Sequence, residues 1–233
     1  MLFRCGIIGC GRIGCEFPDN HARAYQKCKD TILTSLWDTD TKKLTEWRDK
    51  LGVDGWSRKL DIVSICTPPE THWEVLRQTI LTQPELKAIY CEKPIATTLN
   101  DADDMIELCH ENDIILQVNH QRRFGNPKFL FSRGILNTGT HMFDILRMYF
   151  GEIVLDGNKV ITPNGLTIDI FELQGDEAVF EFVPPITNLT HPLILKGVEH
   201  LVDCINNKRQ SCSSGEEARE DLRLCLEYSR EVQ

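Results

Sequence analysis

The sequence predicts a doubly wound parallel α/β domain followed by a smaller α+β domain whose sheet is mostly antiparallel. Three observations carry this. Short apolar runs alternate with longer amphipathic segments through the first 120 residues. A G-x-G-x-x-G run stands between the first apolar run and the segment after it. Beyond residue 120 the pattern changes to short strands separated by turn dipeptides of the hairpin kind. The chain is therefore divided into units 1–120 and 121–233.

In order, strands are predicted at Phe3 to Ile8, Ile32 to Trp37, Asp61 to Cys66, Ala88 to Cys91 and Ile114 to Val118, each a short run rich in apolar and β-branched residues. Helices are predicted between them at Ile13 to Lys29, Thr41 to Leu51, His72 to Thr82 and Leu99 to Asn112, the last behind the capping candidates Thr97 and Thr98. The stretch "LGVDGWSRK" is too short for a further strand and helix, so one unit of the sheet is expected to be trimmed. In the second unit a helix is predicted over His141 to Phe150. Short strands follow within Ile153 to Val183, parted by "DGN", "PNG" and "QGD", and two closing helices lie at Leu193 to Asn206 and Glu216 to Arg230.

Composition excludes several classes. The 233 residues carry a formal charge of -9, which argues against nucleic acid as a partner, because such binding rests on clustered Lys and Arg neutralising phosphates. No apolar run approaches the roughly 20 residues that span a bilayer, so neither a membrane nor an export signal is expected and the cytoplasm is the expected compartment. The ten cysteines include no C-x-x-C pair; they read as buried reduced thiols and no metal site is expected. Cys10 is set apart by its place in a loop at a helix start, where a thiol pKa is commonly lowered.

The run "GIIGCGRIG" gives each glycine a separate role, in which Gly9 makes the tight turn, Gly11 lets the backbone approach a pyrophosphate, and Gly14 lets helix pack on strand. Arg12 and Ile13 complete the phosphate-side loop, whose N–H groups suit an anion. Asp38, some two dozen residues beyond Gly14, ends the second strand, where a carboxylate suits the ribose hydroxyls of NAD and repels the 2'-phosphate of NADP. A plain glycine turn with Asp38 as a helix cap is the simpler alternative.

In this order, "GIIGCGRIG", "ICTPPETH", "CEKPIA", "VNHQRRF" and "GTHMFDILRMYFG" resemble the signature segments of the glucose-fructose oxidoreductase, inositol dehydrogenase and rhizopine catabolism (Gfo/Idh/MocA) family. The resemblance is strong through Phe150 and looser beyond. It implies an N-terminal Rossmann domain that binds NAD, a reduced C-terminal domain for substrate and oligomerisation, and a small-molecule sugar, polyol or nucleotide-sugar substrate. A homo-oligomer formed through the C-terminal sheet is part of the same implication.

By this resemblance Lys93 of "CEKPIA" approaches the nicotinamide ribose and the reacting hydroxyl, where an ammonium favours the nascent alkoxide. Glu92, Thr67, Pro68, His72 and Asn119 are implied to line the cofactor. His141 is implied as the general base, a role that suits a group titrating near neutral pH. Arg122 and Asn137 are implied as substrate contacts, with Arg123 packing outward. Asp144 is read as a support for His141 or as one half of a helix-face pair with Arg147. Two departures stand out. Asn137 occupies the position of the family aspartate and cannot stabilise an imidazolium by charge. Between "RRFGNP" and "GTH" the chain holds only "KFLFSRGILNT" where the family inserts further elements. Both motivate the alternative of a nucleotide-binding homologue with lost or impaired catalysis.

Overall fold

The computed structural model describes residues 2–124, 128–130, 139–157, 159–169, 179–181 and 193–231. Five strands, β1 (Phe3–Ile8), β2 (Thr31–Trp37), β3 (Ile62–Ile65), β4 (Ala88–Cys91) and β5 (Ile115–Val118), form one sheet in the order β2-β1-β3-β4-β5. All its pairings are parallel. Helices α1 (His21–Lys27), α2 (Thr41–Leu51), α3 (His72–Thr82) and α4 (Leu99–Glu111) lie between them in the chain. Residues 52–61 hold neither strand nor helix, so the sheet lacks the unit that "LGVDGWSRK" was too short to supply. The order reverses between β1 and β3, and in folds of this kind the crevice that takes ligands lies outside the carboxyl ends of the strands at that switch point.

The second half of the chain begins with β6 (Lys128–Leu130), which pairs antiparallel with β10 (Val179–Glu181). Helix α5 (Thr140–Phe150) precedes a three-stranded antiparallel meander of β7 (Val154–Asp156), β8 (Lys159–Ile161) and β9 (Thr167–Asp169). Its hairpins turn at Gly157 of "DGN" and through "PNG" as expected; "QGD" lies outside the described residues. Helices α6 (Leu193–Asn207) and α7 (Gly215–Glu231) close the chain.

The strands alternate strictly in what they bury. Val63, Ile65, Ile89 and Cys91 face a core shared with Leu76 of α3, Met105 of α4 and Leu222 of α7. Ile62, Ala88 and Tyr90 face the opposite core with Tyr25 of α1, Leu44 of α2 and Leu201 of α6. The closing helices therefore return to cover the parallel sheet, one on each face. Helix α7 also serves a third core, in which Leu224 and Tyr228 meet Phe143 of α5, Leu155 of β7 and Val160 of β8.

Helix boundaries follow their caps. Asp40 accepts from the N–H groups of Lys42 and Lys43 to start α2, and Thr98, not Thr97, accepts from Asp101 N–H to start α4. Asp40 thus provides the cap that the simpler alternative gave to Asp38. The helix predicted over Ile13 to Lys29 is corrected: a single wide turn over Arg12–Glu16 ends at Phe17, and α1 begins only at His21 behind the cap Asn20. Pro18 disfavours the helical conformation at Phe17 and has no N–H to continue the ladder. The interruption has a use, because Asp19 Oδ2 accepts from the N–H of Leu193 at 2.8 Å at the start of α6.

Candidate active site

The glycine loop joins β1 to the wide turn at the switch point. Gly9 has φ +97°, and a Cβ there would meet the backbone of Cys66 at 2.7 Å; a Cβ on Gly14 would lie 2.0 Å from the Gly9 carbonyl oxygen. At Gly11 an added Cβ meets nothing within 4 Å. The outer glycines are thus required by protein packing and the middle one faces open space, which is the division of labour a dinucleotide pyrophosphate needs. Arg12 is exposed with its guanidinium over the Phe17 ring, and Ile13 is half-buried against the α1 and α6 side of the sheet.

Asp38 sits at the end of β2. Its Oδ2 accepts the Cys10 N–H at 2.7 Å and its Oδ1 accepts the Asp40 N–H at 2.8 Å. The carboxylate is half-buried beside the loop, where adenosine ribose hydroxyls are met in this fold. The Cys10 thiol is buried against the Trp37 carbonyl, and hydrogen bonding with Cys15 lowers its pKa.

After β3, Thr67 is half-buried and Pro68 exposed at the rim of the crevice. His72 is fully buried: Nε2 lies 2.9 Å from the Thr67 carbonyl and Nδ1 lies 3.1 Å from the carbonyls of Pro94 and Ile95. The expectation that His72 touches a cofactor is corrected, since its ring is sealed among backbone groups; it ties the loop after β3 to the loop after β4. Glu92 and Asn119 are also buried and engaged. Asn119 donates to Glu92 at 2.6 Å and accepts from the Tyr90 hydroxyl at 2.7 Å, while His21 lies 3.0 Å from Glu92 and 2.8 Å from Ser64. This network shapes the floor beneath the crevice. His21, Ser64 and Tyr90 were not singled out in the sequence, because their partners come from other strands and nothing local marks them.

Lys93 follows β4, Arg122 follows β5 and His141 opens α5, and the fold brings the three together. Burial, and after it the charges of His120, Lys93 and Arg122, push the His141 imidazole well below its ordinary pKa. Lys93 is half-buried, and burial together with Arg122 lowers its ammonium despite the opposing charge of Glu92. Asn137 lies outside the described residues.

Behind His141 stands a second buried group that the sequence did not disclose. Asp144 does not pair with Arg147; its Oδ1 lies 2.8 Å from His120 Nδ1 and 2.5 Å from Arg123 Nε. Arg123 does not pack outward either, its side chain being only 6% exposed. Arg147 reaches instead to Asp221 of α7 at 3.1 Å. His120, Asp144 and Asp221 have the donor types that a divalent cation takes. The guanidinium groups of Arg123 and Arg147 already lie on the two carboxylates, however, and supply the positive charge that an ion would bring.

A family model described as "Oxidoreductase family, NAD-binding Rossmann fold" matches residues 3–120. The chain belongs to the Gfo/Idh/MocA family. This member is 34% identical over 130 residues to a myo-inositol 2-dehydrogenase of Thermotoga maritima, a match that takes in 52% of the chain and 37% of that relative. It is 27% identical over 147 residues to a UDP-N-acetylglucosamine 3-dehydrogenase of Acidithiobacillus ferrooxidans, covering 54% and 44% of the two chains. These matches thus span less than half the length of either relative. Among solved structures, the Acidithiobacillus ferrooxidans enzyme superposes with a TM-score of 0.76 at 18% identity over 100% of this chain and 98% of its own. An Agrobacterium radiobacter oxidoreductase in complex with NAD+, L-tartaric acid and magnesium gives 0.75 at 16% identity over 100% and 96%. The two superpositions bear on the fold. Among the described residues no helix is long and apolar enough to cross a membrane.

Proposed function

We propose that the chain transfers a hydride between NAD and a secondary hydroxyl, or the corresponding ketone, of a sugar, polyol or nucleotide sugar. The observation that carries this is the meeting of Lys93, Arg122 and His141 at the carboxyl side of a sheet whose glycine loop is shaped for a pyrophosphate. Bound nicotinamide would supply the hydride acceptor. Gly9 and Gly14 hold the loop's shape, Gly11 would admit the pyrophosphate, and Asp38 would take the adenosine ribose. His141 is held neutral by its surroundings and so has a lone pair free to accept the hydroxyl proton. Lys93 stabilises the alkoxide as that proton leaves. Arg122 adds positive charge on the same side and suits a polar or anionic substrate group. The inositol and nucleotide-sugar dehydrogenases among the relatives support this substrate class.

A substrate-dependent change in nicotinamide absorbance across a panel of polyols, sugars and nucleotide sugars tests the reading. Lys93→Ala is expected to lower turnover at least a hundredfold while NADH still binds. Asn137 at the family aspartate position favours a second reading, a nucleotide-binding homologue without turnover. Tight NADH binding by calorimetry with no turnover across the panel selects it.

A further inference from the structure

The cluster behind His141 has a geometry that packing alone does not require. His120 is fully buried, and its Nδ1 faces Asp144 Oδ1 at 2.8 Å and Asp221 Oδ2 at 3.4 Å. Asp144, whose carboxyl is held below its ordinary value against burial by His120 and Arg123, only accepts, so the proton of the neutral ring belongs on Nδ1 and its lone pair on Nε2. That Nε2 is buried with no hydrogen-bond partner. The His141 ring stands edge-on at 5.9 Å between centroids and 68° between planes, and its Nδ1 is likewise buried and unpartnered. Two adjacent imidazoles therefore each hold one unused ring nitrogen inside the protein.

The charges around the two rings differ in sign. Lys93, from the loop after β4, and Arg122 act on His141. His120 is faced by Asp144 of α5 and Asp221 of α7, with Arg123 on its own segment and Arg147 and Glu217 completing the shell. A proton on His141 is thus badly placed, and one on His120 is well placed.

We propose that His120 is a positioning residue that takes the hydroxyl proton onward from His141 and holds it against Asp144 and Asp221. This rests on the function proposed above. The substrate O–H bond breaks and its proton forms an N–H bond at Nε2 of His141. The Nδ1–H bond of His141 then breaks and that proton bonds to Nε2 of His120, directly after a small approach of the rings or across one water. The carbon-bound hydrogen would leave with its electron pair, for which a bound nicotinamide would supply the acceptor. His141 ends neutral in its other tautomer, and His120 ends as an imidazolium facing two carboxylates. The interior carboxylates supply the charge support that Asn137 lacks. Burial opposes protonation of both rings, yet Asp144 and Asp221 overcome it at His120 and raise its pKa, whereas the charges near His141 act with burial. Burial and the charge of Asp144 push the Asp221 carboxyl up to about 7, so oxidation should speed up as pH rises through the joint titration of His120 and Asp221.

The test needs no substrate in its first arm. Nitrogen-15 NMR of the imidazoles in the cofactor-free wild-type protein should show both His120 and His141 protonated at Nδ1 in their neutral forms; His141 protonated at Nε2 overturns the relay. In the second arm His120→Asn keeps a donor for Asp144 and deletes Nε2. It should lower kcat at least tenfold, flatten the acidic limb of the pH profile and reduce the solvent deuterium effect, with NAD affinity within twofold. Turnover and pH profile unchanged in a folded His120→Asn protein overturn the proposal while leaving the assignment of His141 intact. Retention of full activity in His141→Ala, or no turnover on any substrate, overturns the function itself, and the tautomers read by NMR remain a separate result. Should His120→Asn fail to fold, the wild-type tautomers decide.

Discussion

The backbone N–H of Cys10 donates to Oδ2 of Asp38 at 2.7 Å, so the carboxylate that ends β2 is bonded directly to the glycine loop that follows β1. The residue that would select the cofactor is thereby also a brace for the loop that would hold it.

A first prediction concerns cofactor choice. A 2'-phosphate placed beside Asp38 is a close like-charge pair, so NAD(H) should bind at least tenfold better than NADP(H), about 1.4 kcal/mol. Fluorescence titration with both reduced cofactors measures it, and equal affinities contradict it. Asp38→Ser should narrow the ratio and weaken both, because the brace to Cys10 is lost with the charge.

Gly11 and Gly14 should separate binding from folding. Gly14→Ala puts a methyl 2.0 Å from the Gly9 carbonyl oxygen and should lower stability by about 2 kcal/mol along with cofactor affinity. Gly11→Ala meets nothing within the protein, so its melting temperature should stay close to wild type while NADH affinity falls. Thermal melts and calorimetry on the two variants give the comparison; a Gly11→Ala protein with full NADH affinity would remove the pyrophosphate from this loop.

Acid stability should depend on Asp61. Burial works to raise its carboxyl, but hydrogen bonds from Arg4 and Lys87 overcome this and hold it at about 2, below the ordinary 3.8. A depressed carboxyl pKa contributes stability above its unfolded value, lost as pH falls through the folded one. Because the Lys87 and Arg4 heads are partly solvated, the contribution is taken as about 1 kcal/mol. Urea unfolding of wild type and Asp61→Asn should differ by this amount at pH 7 and converge between about pH 4 and pH 2; a constant difference would show that the ionised carboxylate is not responsible.

The Arg123 guanidinium is enclosed with Asp144 and Glu217, and removing it strands a buried carboxylate. Arg123→Leu should therefore destabilise the protein by about 3 kcal/mol or more. The double variant Arg123→Leu with Asp144→Leu should recover part of that loss. Denaturant melts of the two single variants and the double supply the cycle, and additive losses would argue against the pairing.

How far each feature could be read from sequence follows from how local its cause is. Strand β4 at Ala88–Cys91 and helix α2 at Thr41–Leu51 occur at the predicted limits, because an apolar run buried on both faces and a capping aspartate act within one element. The glycine run was legible for the same reason: strand, turn and helix start are contiguous. The helix predicted from Ile13 was broken by Pro18, a local signal overridden in the reading by the amphipathic pattern around it. The buried cluster was another matter. That Asp144 meets His120 and Arg123, that Arg147 meets Asp221, and that Arg123 lies inside depend on α7 crossing behind α5 more than 70 residues later in the chain. Side chains such as Arg and Asp are exposed by default and enter a core only where a partner of opposite charge is delivered to them. By itself the sequence determined a parallel sheet of the Rossmann kind and its switch-point loop, and its resemblance to the family singled out Lys93 and His141 as candidates. Which charges surround those residues, and hence where a proton can rest, was decided by tertiary structure, since electrostatic energies inside a protein depend on distances between segments that the chain order does not contain.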